Sequence, residues 1–292
     1  MFPSHAMLLA GSLTMVACGG GGSGTSSPTS PSTTTPAPTS STTVHRNLQY
    51  TSNPRPLVLD LHVPPTSTPV PVIVYLHGAD GTKEGGGAAD LVFIQSARGY
   101  AVAAVAYSTP DVPFPASVQD CKAAVRWLRA NAAKYNLNGS KIGVWGTSYG
   151  AYMGGFLGAA GEAPDLEDLG QGWASESSRV QAVVSWAGFF DLRQFPSEPW
   201  INTMLGCAAS ACPSRWAAAS PITYVDATDA PFLLVHGSAD NVVPSGQSQA
   251  MNAALTAAGV SSSVVIVGAG HTGPWSTSAT GPSEAFLDRY LR

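Results

Sequence analysis

Ile142-Gly-Val-Trp-Gly-Thr-Ser148-Tyr-Gly-Ala-Tyr-Met-Gly-Gly-Phe-Leu157 holds the strand-to-helix junction around which the rest of the chain is organised. Ile142 to Trp145 is a short apolar run of the kind buried strands show, and Tyr149 to Ala160, rich in small residues, reads as a helix. Between them lies Gly146-Thr-Ser148-Tyr-Gly150. Glycine two residues to either side of a serine allows a turn too sharp for side chains at those positions, and such a turn lifts the hydroxyl above the sheet edge. In a chain with 31 glycines among 292 residues the five-residue pattern alone says little. The strand before it and the helix after it give it weight.

Working outward, Val44 to Tyr50 and Leu57 to Val63 alternate apolar with polar, as half-buried antiparallel strands do, across a turn that contains proline. Val70 to Leu76 and Ala101 to Ala106 are Val-rich runs suited to strands covered on both faces, with helical spacing from Ala88 to Arg98 between them. In Ser117 to Tyr135, Val118, Cys121, Val125, Leu128 and Ala132 recur at helical intervals with Lys122, Arg126 and Arg129 on the other side, which predicts an amphipathic helix. Val180 to Trp186, Phe232 to His236 and Val264 to Val267 read as further strands, Ser245 to Ala258 and Ser283 to Leu291 as helices. Strands alternating with helices after an antiparallel start predict a mostly parallel, doubly wound α/β sheet. Phe189 to Ala219 has no clear period and reads as a small cap insertion.

Residues 1–18 read as a leader, 19–43 as a tether and 44–292 as the folded domain. Met7 to Ala17 is too short to span a bilayer as a helix but has the size of a signal-peptide core. The Met15-Val-Ala-Cys18 sequence at its end resembles a lipoprotein cleavage box, with Cys18 as the lipidated residue, although no Lys or Arg precedes it. The Gly, Ser, Thr and Pro that follow have too little apolar surface to offset the entropy of ordering. Export, with any membrane contact through Cys18, is the expectation. Only 11% of residues are charged, against about 25% in an average soluble domain, and the net charge is −4. No basic cluster points to nucleic acid; small uncharged substrates fit better. Cys207 and Cys212 are close enough in sequence to form a disulfide in an oxidising compartment, while Cys121 reads as a buried free thiol. The four cysteines make no metal-binding pattern.

A serine becomes a competent nucleophile only when a base takes its proton. Of six histidines, His271 lies in a loop, Gly268-Ala-Gly-His-Thr-Gly273, after the last strand and before the last helix. His236 comes too early for the order nucleophile, acid, base, and His45 and His62 fall on the early strands. Asp240, at the end of Phe232-Leu-Leu-Val-His-Gly-Ser-Ala-Asp240, is the candidate acid, with Asp191 as its rival. A carboxylate there would fix the imidazole tautomer and stabilise the imidazolium. Two N–H groups are needed for the oxyanion. Tyr149 and Ala79, the latter in Val74-Tyr-Leu-His-Gly-Ala-Asp80, are the candidates, with Asp80 the neighbour of the second. Trp186, Phe189 and Trp275 fall near the loops of this edge and suit either core packing or a binding wall.

Asp120-Cys-Lys-Ala-Ala-Val-Arg-Trp-Leu-Arg129, Ser178-Arg-Val-Gln-Ala-Val-Val184, Ser220-Pro-Ile-Thr-Tyr224 and Leu234-Val-His-Gly-Ser-Ala-Asp240 resemble the bacterial acetyl esterase and feruloyl esterase-like lipases of the α/β-hydrolase superfamily. The likeness runs over residues 44 to 292. It implies the α/β-hydrolase fold, Ser148 as nucleophile, Asp240 as acid, His271 as base, and cofactor-free hydrolysis of short-chain acyl or aryl esters. Where that family has His-Gly-Gly-Gly this chain reads His77-Gly-Ala-Asp80, so the acyl side is expected to differ in width or polarity. Two other readings are a prolyl-oligopeptidase-type peptidase, suggested by Gly146 to Tyr152, and a non-catalytic surface binding protein of the same fold. No repeated-blade sequence supports the first, and three candidate groups in the required order oppose the second.

Overall fold

The computed structural model describes residues 41–51, 56–79, 82–84, 91, 95–96, 98–271 and 277–292. Its frame is an eight-stranded sheet in the order β1-β2-β4-β3-β5-β6-β7-β8. The strands are β1 (Thr43–Gln49), β2 (Val58–Val63), β3 (Val70–Leu76), β4 (Ala101–Val105), β5 (Leu137–Thr147), β6 (Ala182–Trp186), β7 (Phe232–Gly237) and β8 (Ser262–Val267). β2 is antiparallel to both neighbours, and every pairing from β4 to β8 is parallel. The antiparallel start and the doubly wound body are those expected from the alternation of strand and helix patterns.

Because the parallel strands are covered on both faces, their side chains serve two cores. Val72, Val74 and Val144 pack into the larger one with side chains of α1 (Ala116–Ala130), α2 (Tyr149–Ala159) and α5 (Gly246–Ala257). Ile73, Tyr75 and Trp145 point into the other with Leu287 and Leu291 of α6 (Thr277–Leu291). The one-residue alternation between Val72, Ile73 and Val74 is the period-2 geometry of a strand. Trp186 belongs to this second core: it sits 5.2 Å from Trp145 and donates its indole N–H to Ser283 Oγ at 3.0 Å. It is core, as one of its two readings had it. Trp275, Asp80, the leader with Cys18, residues 19–40 of the tether and most of the Ala88–Arg98 segment lie outside the described residues, while Thr43, at the end of the expected tether, opens β1.

The segment between β6 and β7, expected to be a cap, carries two short helices, α3 (Pro199–Leu205) and α4 (Pro213–Ala218). A disulfide between Cys207 and Cys212, Cα atoms 6.2 Å apart, closes the turn that joins them. Ile201, Met204, Leu205 and Trp216 anchor the segment in the larger core. Cys121 is a buried free thiol, and burial pushes its pKa well up, which leaves it unreactive.

One expectation requires correction. Lys122 and Arg126 were assigned to the solvent side of α1, yet their side chains are 0% and 1% exposed. Both converge on Glu167: Lys122 Nζ lies 2.9 Å from Oε1, and the Arg126 guanidinium donates to Oε2. Ser178 donates its hydroxyl to the same carboxylate at 2.5 Å. Burial lowers the pKa of both cations, and Glu167 opposes that effect. Sequence periodicity assigned these charges to a solvated face because it could not see that residues 164–172 fold over α1 and supply the counter-charge.

Removing that counter-charge leaves two buried cations with one partner fewer. Glu167→Gln is expected to cost about 3 to 5 kcal/mol of unfolding free energy, the usual result of breaking a buried ion pair. Urea unfolding followed by circular dichroism measures it, and a loss below 1 kcal/mol would show that water already screens the cluster.

Candidate active site

Ser148 occupies the junction of β5 and α2 with φ 54° and ψ −115°, a region that side-chain-bearing residues seldom visit. Its N–H donates to the Trp186 carbonyl of β6 at 2.8 Å, fixing the turn to the sheet. The flanking glycines are needed for contact rather than for flexibility. A Cβ on Gly146 would come within 2.2 Å of the Gly150 carbonyl oxygen, and one on Gly150 within 2.0 Å of the Leu76 carbonyl oxygen. The start of α2 is thus pressed against the end of β3, beside the loop that bears Ala79.

Tyr149 is the first residue of α2, so its N–H has no acceptor within the helix. Ala79 is exposed three residues beyond β3, the strand that pairs with β5 through Leu76 and Gly146. In the same loop His77 Nδ1 is 2.7 Å from the Gly78 carbonyl, its ring stacks on Tyr107 at 4.6 Å, and the Tyr107 hydroxyl donates to the His77 carbonyl.

Asp240 and His271 come from the loops after β7 and β8. Backbone hydrogen bonds join these loops, Ser238 N to Val267 O at 2.8 Å and Ala239 N to Ala269 O at 3.0 Å. His271 Nδ1 is 2.8 Å from Asp240 Oδ2, and its Nε2 is 2.9 Å from Ser148 Oγ. A carboxylate only accepts, so Nδ1 carries the hydrogen and Nε2 is the free lone pair that accepts from the serine hydroxyl. Three residues far apart in sequence therefore form one directed chain of hydrogen bonds.

The Asp240 carboxylate is fully buried, and its donors explain how it stays charged. Burial alone raises its pKa, but N–H groups of Val243 and Val242, each 2.9 Å from Oδ1, and the His271 ring bring it below the usual 3.8. Asp191, the rival acid, is bound to Arg193: its Oδ1 accepts from that residue's N–H at 3.1 Å and from its Nε at 2.7 Å.

His236 was missed as a site residue. Its side chain is fully buried, with Nε2 2.8 Å from the Val243 carbonyl and 3.3 Å from Asp240 Oδ2, and Nδ1 2.7 Å from Ser248 Oγ. Nε2 faces two acceptors and so carries the hydrogen. Burial lowers the ring's pKa, which keeps it neutral. A histidine four residues before the acid was the available signal, but chain order was used only to reject it as the base. Phe189 is buried too, stacked on Tyr152 at 4.6 Å and meeting Trp200 at 5.5 Å, so it takes the packing reading. Among the described residues, no three His, Cys, Asp or Glu side chains are grouped as a metal ion would need.

The BD-FAE family model matches residues 59–255. The chain belongs to the BD-FAE family. As a BD-FAE protein it is 32% identical over 168 residues to Esterase LipQ of Mycobacterium tuberculosis, covering 55% of this chain and 39% of that one. It is 30% identical over 219 residues to Esterase LipC of the same organism, covering 70% of this chain and 53% of that one. The BD-FAE chain thus spans about half or less of the length of these curated relatives. A solved structure titled as a truncated form of carbohydrate esterase from gut microbiota superposes with a TM-score of 0.76 at 29% identity, over 87% of this chain and 98% of that chain. The α/β-hydrolase fold expected from the sequence is that of these neighbours.

The lowered Asp240 pKa makes a signed prediction for this BD-FAE protein. A carboxyl whose folded pKa lies below its unfolded value of about 4 stabilises the fold above that pH and loses the contribution as pH falls through the folded pKa. From pH 5 to pH 3, urea stability of the wild type should therefore fall more steeply than that of Asp240→Asn. Parallel curves would show that the buried carboxylate gains nothing from its donors.

Proposed function

We propose that the chain is a serine carboxylic-ester hydrolase that acts on short-chain acyl or aryl esters through an acyl-enzyme intermediate. The observation that carries the reading is the directed hydrogen-bond chain from Asp240 through His271 to Ser148 Oγ. Ser148 Oγ attacks the ester carbonyl carbon as its proton passes to His271 Nε2. The carbonyl π electrons move onto oxygen, and the oxyanion takes hydrogen bonds from the Tyr149 and Ala79 N–H groups. Collapse expels the alcohol, which leaves with the proton from His271, and the acyl group stays on Ser148. Water then attacks the acyl enzyme, gives its proton to the same nitrogen, and the serine leaves with that proton as the carboxylic acid is released. Asp240, whose side chain is 0% exposed, stays ionised throughout and balances the imidazolium.

The activity named for LipQ and LipC supports this reading, and so does the superposition on a carbohydrate esterase. That neighbour favours esters carried by a carbohydrate as the natural substrate. The leader belongs to the same proposal: an exported enzyme, lipid-anchored through Cys18, with the Cys207–Cys212 disulfide suited to an oxidising compartment.

Ser148→Ala and His271→Ala should each lower kcat on an aryl acetate by about 10⁴-fold or more, as loss of either member of such a unit does, with circular dichroism unchanged. A serine-directed phosphonate should label Ser148 stoichiometrically, and a proline-containing peptide amide should not be cleaved. Full activity in Ser148→Ala would end the proposal, and cleavage of the amide in preference to the ester would move it to the peptidase reading. Cys18→Ser should abolish incorporation of labelled palmitate by expressing cells; equal incorporation in both proteins would rule out that anchor.

A further inference from the structure

A second cleft lies on the same edge of the sheet as Ser148. It is an open cleft of about 300 Å³ lined, among the described residues, by Gln49, Tyr50, Thr51, Gln171, Gly172 and Trp173. β1 is antiparallel to β2 and β2 to β4, so the end of β1 that leads into Gln49–Thr51 points the same way as the ends of β4, β3 and β5. In the order β1-β2-β4-β3-β5 it stands four strand spacings from the nucleophile, on the order of 19 Å at the usual spacing.

Trp173 is 42% exposed, so a large part of the indole surface is left open beside the cleft. Its backbone has φ 60°, after Gly172 at φ 106°. A bulky residue held in that region while only partly buried is a strained arrangement of the sort that binding sites retain. The turn beneath it is held from α1. Arg126 Nη2 donates to the Asp168 carbonyl at 2.9 Å, and Asp120 Oδ1 accepts from Gln171 Nε2 at 3.1 Å. The second contact sets the amide orientation, since the carboxylate can only accept. Gln171 is 8% exposed, and its Oε1 has no hydrogen-bond partner among the described residues. The cleft therefore combines a half-exposed aromatic side chain with uncharged polar groups, and Gln171, whose Oε1 is buried, is one of its lining residues. Among the described lining residues none carries a charge, which favours an uncharged ligand over a phosphate or a charged peptide. An uncharged, hydroxyl-rich ring suits it: one face of the ring covers the indole and its hydroxyls meet the amides.

We propose that Trp173, with Gln171 and Gln49 beside it, forms a subsite for a sugar ring of an oligomeric or polymeric carbohydrate whose ester is held at Ser148. The proposal rests on the esterase reading of that site and adds where the rest of the substrate chain lies. A span of four strands matches a short run of sugars rather than a single acylated monosaccharide. Trp173 then contributes to the capture of long substrates and not to the chemical step.

The test separates the two sites. Trp173→Ala should leave kcat and KM for p-nitrophenyl acetate unchanged within about twofold, while KM for acetylated xylan rises about tenfold, the scale of one lost aromatic contact. Trp173→Tyr, which keeps an aromatic face, should recover most of the difference. Binding is read without catalysis by electrophoresis of Ser148→Ala through gels containing deacetylated xylan, glucomannan or hydroxyethyl cellulose. Retardation in at least one gel that is lost in Ser148→Ala/Trp173→Ala supports the subsite. No retardation in any gel, or equal retardation of both proteins, overturns it. If instead Ser148→Ala still hydrolysed p-nitrophenyl acetate, the esterase reading would fall while the gels continued to report on Trp173.

Discussion

The strained backbone of Ser148 is the constraint to which the rest of the structure answers. A serine at φ 54° is costly on its own, and it persists because its N–H is bound to the Trp186 carbonyl and because α2 begins in contact with the end of β3. That contact is possible only because position 150 has no side chain. The same packing sets the start of α2 beside the Ala79 loop at the sheet edge, so in the proposed mechanism the nucleophile and the donors for its oxyanion share one cause.

The other half of the site depends on a buried carboxylate. Asp240 is withdrawn from water, yet hydrogen bonds from two backbone N–H groups and an imidazole keep its pKa low. A second imidazole, that of His236, stands beside it and is itself held by Ser248 and the Val243 carbonyl. Such a fully partnered group has little freedom to turn, so the His271 ring meets Ser148 in one tautomer and one orientation. The loops bearing acid and base are hydrogen-bonded to each other, and this links their positions to the pairing of β7 with β8.

Charges elsewhere follow the same logic. The 11% of charged residues are few, but several are internal. Lys122, Arg126 and Glu167 fasten residues 164–172 onto α1, and Asp120 extends the network to Gln171 beneath Trp173. The buried ions thus serve a segment with little regular structure, whose position the sheet alone does not dictate. If Trp173 meets substrate, the network sets where it stands.

Most of the architecture was legible in the sequence, because strand and helix periods are local properties. The runs Val70–Leu76, Phe232–His236 and Tyr149–Ala160 match elements of the structure to within a residue, and the spacing of Gly146, Ser148 and Gly150 marked the turn from β5 into α2. Chain order and a place in the loop after a strand pointed to His271 and Asp240 and left Asp191 as a rival acid, since the loops after successive strands of a parallel sheet end on one edge. Tertiary structure decided what depends on contacts between distant segments. It buried Lys122 and Arg126 against a loop some forty residues away, brought His271 to both Asp240 and Ser148, and left the indole of Trp173 exposed on the edge that carries Ser148. A helical wheel records which way a side chain points along its own axis, but whether water or another segment waits there is settled only when the chain has folded.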